Sequence, residues 1–176
     1  MDSTDRLLEH DFWLTERLLA HASTLSDNDL DRELWPDNIV FRFDGPEPSL
    51  RSALAHHVFA KEVWNAAIQG IAFPESKDNS IPNLQQRHNE SAREFINFTR
   101  KVRERGQWDD AFVDALCDPP ESFTFGSVIA HIITYAAQRH RMVINGLNQL
   151  GLQILESSCP MTWERQLETD TSDLSK

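Results

Sequence analysis

Three histidines in helix-forming stretches are the residues best placed to do chemistry. His56 and His57 stand in SLRSALAHHVFAKEVWNAAIQG, and His131 stands in FTFGSVIAHIITYAAQRHRMVINGLNQLG. Imidazoles brought from two facing helices into a bundle core form a divalent-metal site. Taken singly, such a histidine is a core residue satisfied by a neighbouring hydroxyl, or a base acting without metal. The stretch holding His131 reads as one long helix, with Thr124 as N-cap and Gly151 as stop. Val128, Ile132, Tyr135, Met142 and Leu147 recur at helical spacing and define its inward stripe, with His131 on the edge. His140 lies about half a turn out of register with His131 and is expected at the surface, inside the basic Arg139-His140-Arg141 patch. One turn and two turns after His131 come Tyr135 and Gln138, neither an ordinary zinc ligand. On the partner helix the apolar arc is centred near Ala53, Ala60, Trp64 and Ala67. His56 and His57 flank that centre, so spacing leaves open which points inward.

Four long helices would have to position these groups. The first runs to about Ala22, with Leu7, Leu8, Phe12, Leu14, Leu18 and Leu19 at helical intervals; His10 and His21 on it are expected at the surface or rim. Ser26 to Leu34 suggests a short acidic helix ended by Pro36. Trp35 to Pro48 reads as an ordered crossover, loosely extended over Asn38 to Phe43. Ser49 caps the second long helix, which ends near Gly70. Ala72 to Asn83 reads as loop, Leu84 to Arg105 as the third long helix, and Trp108 to Leu116 as a short further helix. Phe123 onward is the fourth. The periodicity therefore predicts an all-α four-helix bundle with a long crossover connection. It is one domain over residues 1–176, and residues 165–176 are read as a disordered acidic tail.

Composition narrows the partners. The 176 residues carry a net charge of -11, unsuited to a nucleic-acid backbone or an anionic membrane surface. No apolar run approaches the roughly 20 residues of a membrane span, and the first residues lack the apolar core of a secretory signal. Cys117 and Cys159 do not make a disulfide framework, which agrees with a cytoplasmic protein. There is no GxSxG, glycine-rich phosphate loop or CxxC.

The chain resembles the DinB/YfiT-like superfamily of four-helix bundles. The resemblance is carried by DFWLTERLL, LSDNDLDREL, LAHHVFAKEVW, TFGSVIAHIITYAAQRHR and PMTWER, in that order along nearly the whole chain. It implies a metal held by a histidine eight residues before a tryptophan, here His56 before Trp64, and by two histidines one turn apart on the fourth long helix. This sequence departs from the second part. Those two places hold Tyr135 and Arg139 in one alignment, and Ala136 and His140 in the other. The resemblance favours His56 over His57; with His131 from the helix-phase reading, His56 and His131 are the candidate metal ligands, and His57, Trp64, Tyr135 and Gln138 the candidate pocket-lining residues. The implied activity is a metal-dependent hydrolase or thiol-dependent transferase acting on a small molecule with zinc, nickel, manganese or iron. The other reading is a non-catalytic bundle that binds a small molecule or protein partner without metal. The resemblance also implies a homodimer.

Overall fold

Each long helix is bounded by the residues its ends require. α1 spans Ser3–Ala22 and is capped by the Asp2 carboxylate, which accepts from the Asp5 N–H. The four-residue α2, Asp27–Leu30, follows its cap Ser26. α3, Leu50–Gln69, opens on a capping box between Ser49 and Ser52 and stops at Gly70 in the left-handed region. α4 covers Ile81–Arg105, and Gly106 ends it in the same way. α5 runs over Phe125–Gln149 behind the Thr124 cap, and α6 over Pro160–Asp173. The computed structural model describes residues 1–72, 78–115, 117–156 and 158–173, with side chains described to residue 167.

Four expectations change. Pro82, read as loop, lies in the first turn of α4, where its missing N–H breaks no helical hydrogen bond; residues 78–80 of that expected loop are non-helical, and residues 73–77 lie outside the described residues. The expected short helix after Trp108 is a hairpin instead. β1 (Ala111–Asp114) pairs antiparallel with β2 (Glu121–Thr124), setting Phe112 opposite Phe123. Aromatic and β-branched residues suit that ladder, and Phe112 also stacks on Phe125 at 5.5 Å. The tail is helical through Asp173, and residues 174–176 lie outside the described residues. Asn38 to Phe43 forms turns rather than a strand. The fold is therefore mainly helical with one small two-stranded sheet among the described residues.

The four long helices pack in a closed cycle, α1 on α4, α4 on α3, α3 on α5 and α5 on α1. Their apolar faces form two clusters, one at each end. Leu14, Leu18, Leu50, Leu54, Val143 and Leu147 belong to the first; Leu8, Phe95, Ile96, Val128, Ile129 and Ile132 belong to the second. Between them, at one level of all four helices, the buried side chains are polar: Asp11 and Thr15 on α1, His57 and Lys61 on α3, His88 on α4, His140 on α5.

Close packing at the first cluster is checked at Gly146. A Cβ there would lie 2.7 Å from the Trp35 ring and 2.8 Å from Leu50. Alanine is the better helix former by about 1 kcal/mol. Gly146→Ala should nonetheless lower stability by roughly 1–2 kcal/mol net in urea unfolding, because the overlap outweighs propensity. Unchanged stability would mean the Trp35 ring moves aside freely.

Candidate metal centre

Asp11 reaches the interior because it falls on the buried stripe of α1, with Leu8, Thr15, Leu18 and Ala22 at intervals of three and four. His57 and Lys61 are one turn apart on α3 and both are buried. His140 lies one turn after Ala136 and two after Ile132, in phase with the stripe that α5 actually buries. The expectation of a surface His140 is thus corrected: it is 4% exposed. Tyr135 and Met142 are only half-buried, and the stripe that α5 buries lies about one residue, or ~100°, round from the one they define. His10 is corrected likewise. It is buried, with its ring 6.4 Å from that of His140 and 5.7 Å from that of Trp163.

These residues converge. Asp11, His57 and His140 each offer a ligand atom within 4.8 Å of the others. Asp11 Oδ1 is 3.2 Å from His57 Nε2 and 3.4 Å from His140 Nε2. Thr15 Oγ1 sits 2.8 Å from both Nε2 atoms. A hydroxyl has one hydrogen, so Thr15 donates to only one of the two imidazoles. Lys61 Nζ lies 3.0 Å from Asp11 Oδ2 and 3.2 Å from His57 Nε2.

Electrostatics set the protonation states a cation would need. Burial raises the Asp11 carboxyl, but the Lys61 ammonium beside it outweighs that and holds Asp11 well below the usual carboxylate range. Burial, then the charge of Lys61, pushes His57 well below 6.5. Burial pushes His140 down to about 4. The group is therefore one carboxylate and two neutral imidazoles, a donor set that divalent first-row metals accept. A further observation fits. Asp11 Oδ1 is buried and accepts no hydrogen bond, although it faces both Nε2 atoms. An orphaned carboxylate oxygen between two imidazoles is what a ligand set presents to a cation.

The residues singled out from sequence are placed as follows. His57, not His56, faces the interior; the eight-residue step to Trp64 pointed to the wrong neighbour of the pair. His56 is half-buried, its Nδ1 3.3 Å from Glu47 Oε1. His131 is half-buried, against Phe41, Trp64 and Tyr135, and burial lowers its pKa. Neither His56 nor His131 belongs to the ligand group found among the described residues. A small cavity lined by His57, Ala60, Lys61, His131, Ile132, Tyr135, Ala136 and Arg139 adjoins the group. Tyr135 and His57 are among its lining residues. Gln138 is exposed and is not one of them, and Trp64 touches the cavity only through His131.

The crossover closes over this cavity. Arg139, 1% exposed, donates to Glu47 Oε1 at 2.9 and 2.7 Å and also pairs with Asp44. Phe41 then lies on the rings of His131 and Tyr135. Arg139 is thus a structural clamp rather than part of a solvated basic patch.

Residues 13–149 match the DinB superfamily. The chain belongs to that superfamily. In this DinB chain the match begins after Asp11, so the carboxylate of the group lies ahead of the matched region. Of the two alignments on α5, the geometry agrees with the one on His140, where Ala136 holds the other place and offers no ligand atom. Asp11, from α1, supplies the third donor instead. Comparison with curated proteins yields no match.

Two outcomes check this geometry. Arg139→Met would leave the buried Glu47 carboxylate without its guanidinium, and should cost roughly 3–5 kcal/mol in chemical denaturation. His88, in the same polar layer, is pushed by burial and by Lys61 from 6.5 to about 4. The unfolded chain therefore takes up this proton first, and the stability His88 contributes is lost as pH falls from about 6.5 toward about 4. His88→Gln should shrink the stability difference between neutral pH and about pH 4 by roughly 2–3 kcal/mol, read from urea unfolding at each pH.

Proposed function

We propose that this DinB chain is a metal-dependent enzyme acting on a small molecule, as a hydrolase or a thiol-dependent transferase. In this reading the four long helices form a four-helix bundle of the DinB/YfiT type, and Asp11, His57 and His140 hold a divalent ion. The observation that carries the reading is the buried Asp11 Oδ1, without a hydrogen-bond partner, facing two neutral imidazoles. When bound, the ion supplies Lewis-acid polarisation of a carbonyl and acidification of water or a thiol. The chain's own residues do the rest. Asp11 brings the negative charge and the imidazoles bring lone pairs. Thr15 stands beside both Nε2 atoms and donates its one hydroxyl hydrogen to a single imidazole while the group holds no metal. His131 and Tyr135 wall the cavity through which substrate approaches, and Phe41 covers it against water. No helix among the described residues is long and apolar enough to cross a membrane. A homodimer, as the resemblance implies, completes the proposal and is checked by sedimentation.

The test is metal analysis of protein purified without a histidine tag. About one equivalent of zinc, nickel, manganese or iron is expected, lost in Asp11→Asn and in His140→Ala and kept in His131→Ala. Retention of full metal by both ligand variants would remove the reading.

A second reading has its own support. Lys61 contacts Asp11 and His57 directly, and so neutralises the carboxylate without any metal. A bundle so arranged would bind an organic ligand in the cavity without catalysis. Its melting temperature would then rise with that ligand and ignore metals.

A further inference from the structure

Lys61 is 2% exposed, on α3, one turn after His57. Its ammonium touches two of the three members of the ligand group, at 3.0 Å from Asp11 Oδ2 and 3.2 Å from His57 Nε2. A divalent ion takes its nitrogen and oxygen ligands at roughly 2.0–2.2 Å. An ion bound by these atoms would lie against Nζ, in a layer with little water to screen two cations. The two cations also need the same electrons. The lone pair on His57 Nε2 that receives the lysine N–H is the one a metal would take.

We propose that Lys61 is a tethered competitor for the metal: its ammonium holds the cation position of the Asp11–His57–His140 group, and a divalent ion enters only by displacing it. This rests on the reading that the group binds metal. The displaced ammonium has somewhere to go. Lys61 also lines the adjoining cavity with His131 and Tyr135, and its unbranched stem has the freedom to swing there. The same contact explains how the group stays assembled before loading. Without a cation, Asp11 would be a buried carboxylate facing two neutral rings, and the ligand residues would drift apart or draw in water.

The test is titration of the metal-free full chain with Co²⁺, followed by calorimetry and by the visible absorption of bound cobalt. Wild type is compared with Lys61→Met, which keeps the stem and removes the charge, and with Lys61→Gln, which keeps a donor. Both variants should bind Co²⁺ at least ~10-fold tighter than wild type, as follows if the ammonium leaves the site open in about a tenth of molecules or fewer. Without metal both should melt lower than wild type, and Co²⁺ should raise their melting temperatures by more. If Lys61→Met does not fold, Lys61→Gln carries the comparison. Equal or weaker affinity in the variants, with cobalt bound by wild type, overturns the role of Lys61 and leaves the metal reading standing. A lower melting temperature without any gain in affinity does the same. No cobalt binding by any of the three overturns the metal reading and this proposal with it.

Discussion

A carboxylate taken out of water governs this molecule. Asp11 is 5% exposed and held ionised, and an unpaired ion in a low-dielectric interior costs several kcal/mol. Every buried polar neighbour can be read as a response to that cost. Lys61 supplies the opposite charge, His57 and His140 turn polar edges toward it, and Thr15 ties the rings together. The two apolar clusters on either side keep water from doing the same work more loosely.

A polar layer sandwiched between two apolar ones constrains the helices more tightly than apolar packing alone. Hydrophobic contacts tolerate small slips along the helix axes, whereas a hydrogen bond of 2.8 Å does not. The layer therefore sets the register of α1 against α3 and α5. The crossover repeats the device in miniature. Arg139 leaves α5 one position before His140 and clamps Glu47 and Asp44, so the segment that covers the cavity is fastened beside the ligand group. Any ligand set or cavity wall built here inherits that rigidity, which is what a metal centre or a selective pocket requires.

The superfamily's scaffold appears with altered donors. His140 and His57 are joined by a carboxylate from α1, and Ala136, one turn before His140, offers no ligand atom. A ligand group depends on where side-chain tips meet rather than on which strand of sequence supplies them. A carboxylate from α1 can thus replace an imidazole from α5 without moving the backbone. A carboxylate in the group also brings a negative charge, which the Lys61 ammonium faces at 3.0 Å.

The long helices were legible from sequence because their signals are local. Thr124, Ser49, Gly70 and Gly106 each mark an end by their own chemistry, and leucine spacing along α1 marks a buried face. The histidine-bearing helices were legible as well. The hairpin at Ala111–Asp114 was not, since a four-residue strand is decided by a partner ten residues away. Nor was the ligand group. Asp11, Lys61 and His140 are polar residues on apolar stripes, a pattern equally consistent with a mispositioned phase, and an error of one residue on α5 turned His140 outward. Only packing fixes helix rotation, because one residue of phase is ~100° and the neighbours, not the chain itself, choose among those angles. The amino-acid sequence determined which segments are helices and where they stop; tertiary structure decided which of their polar side chains meet, since that depends on three helices docking at one level.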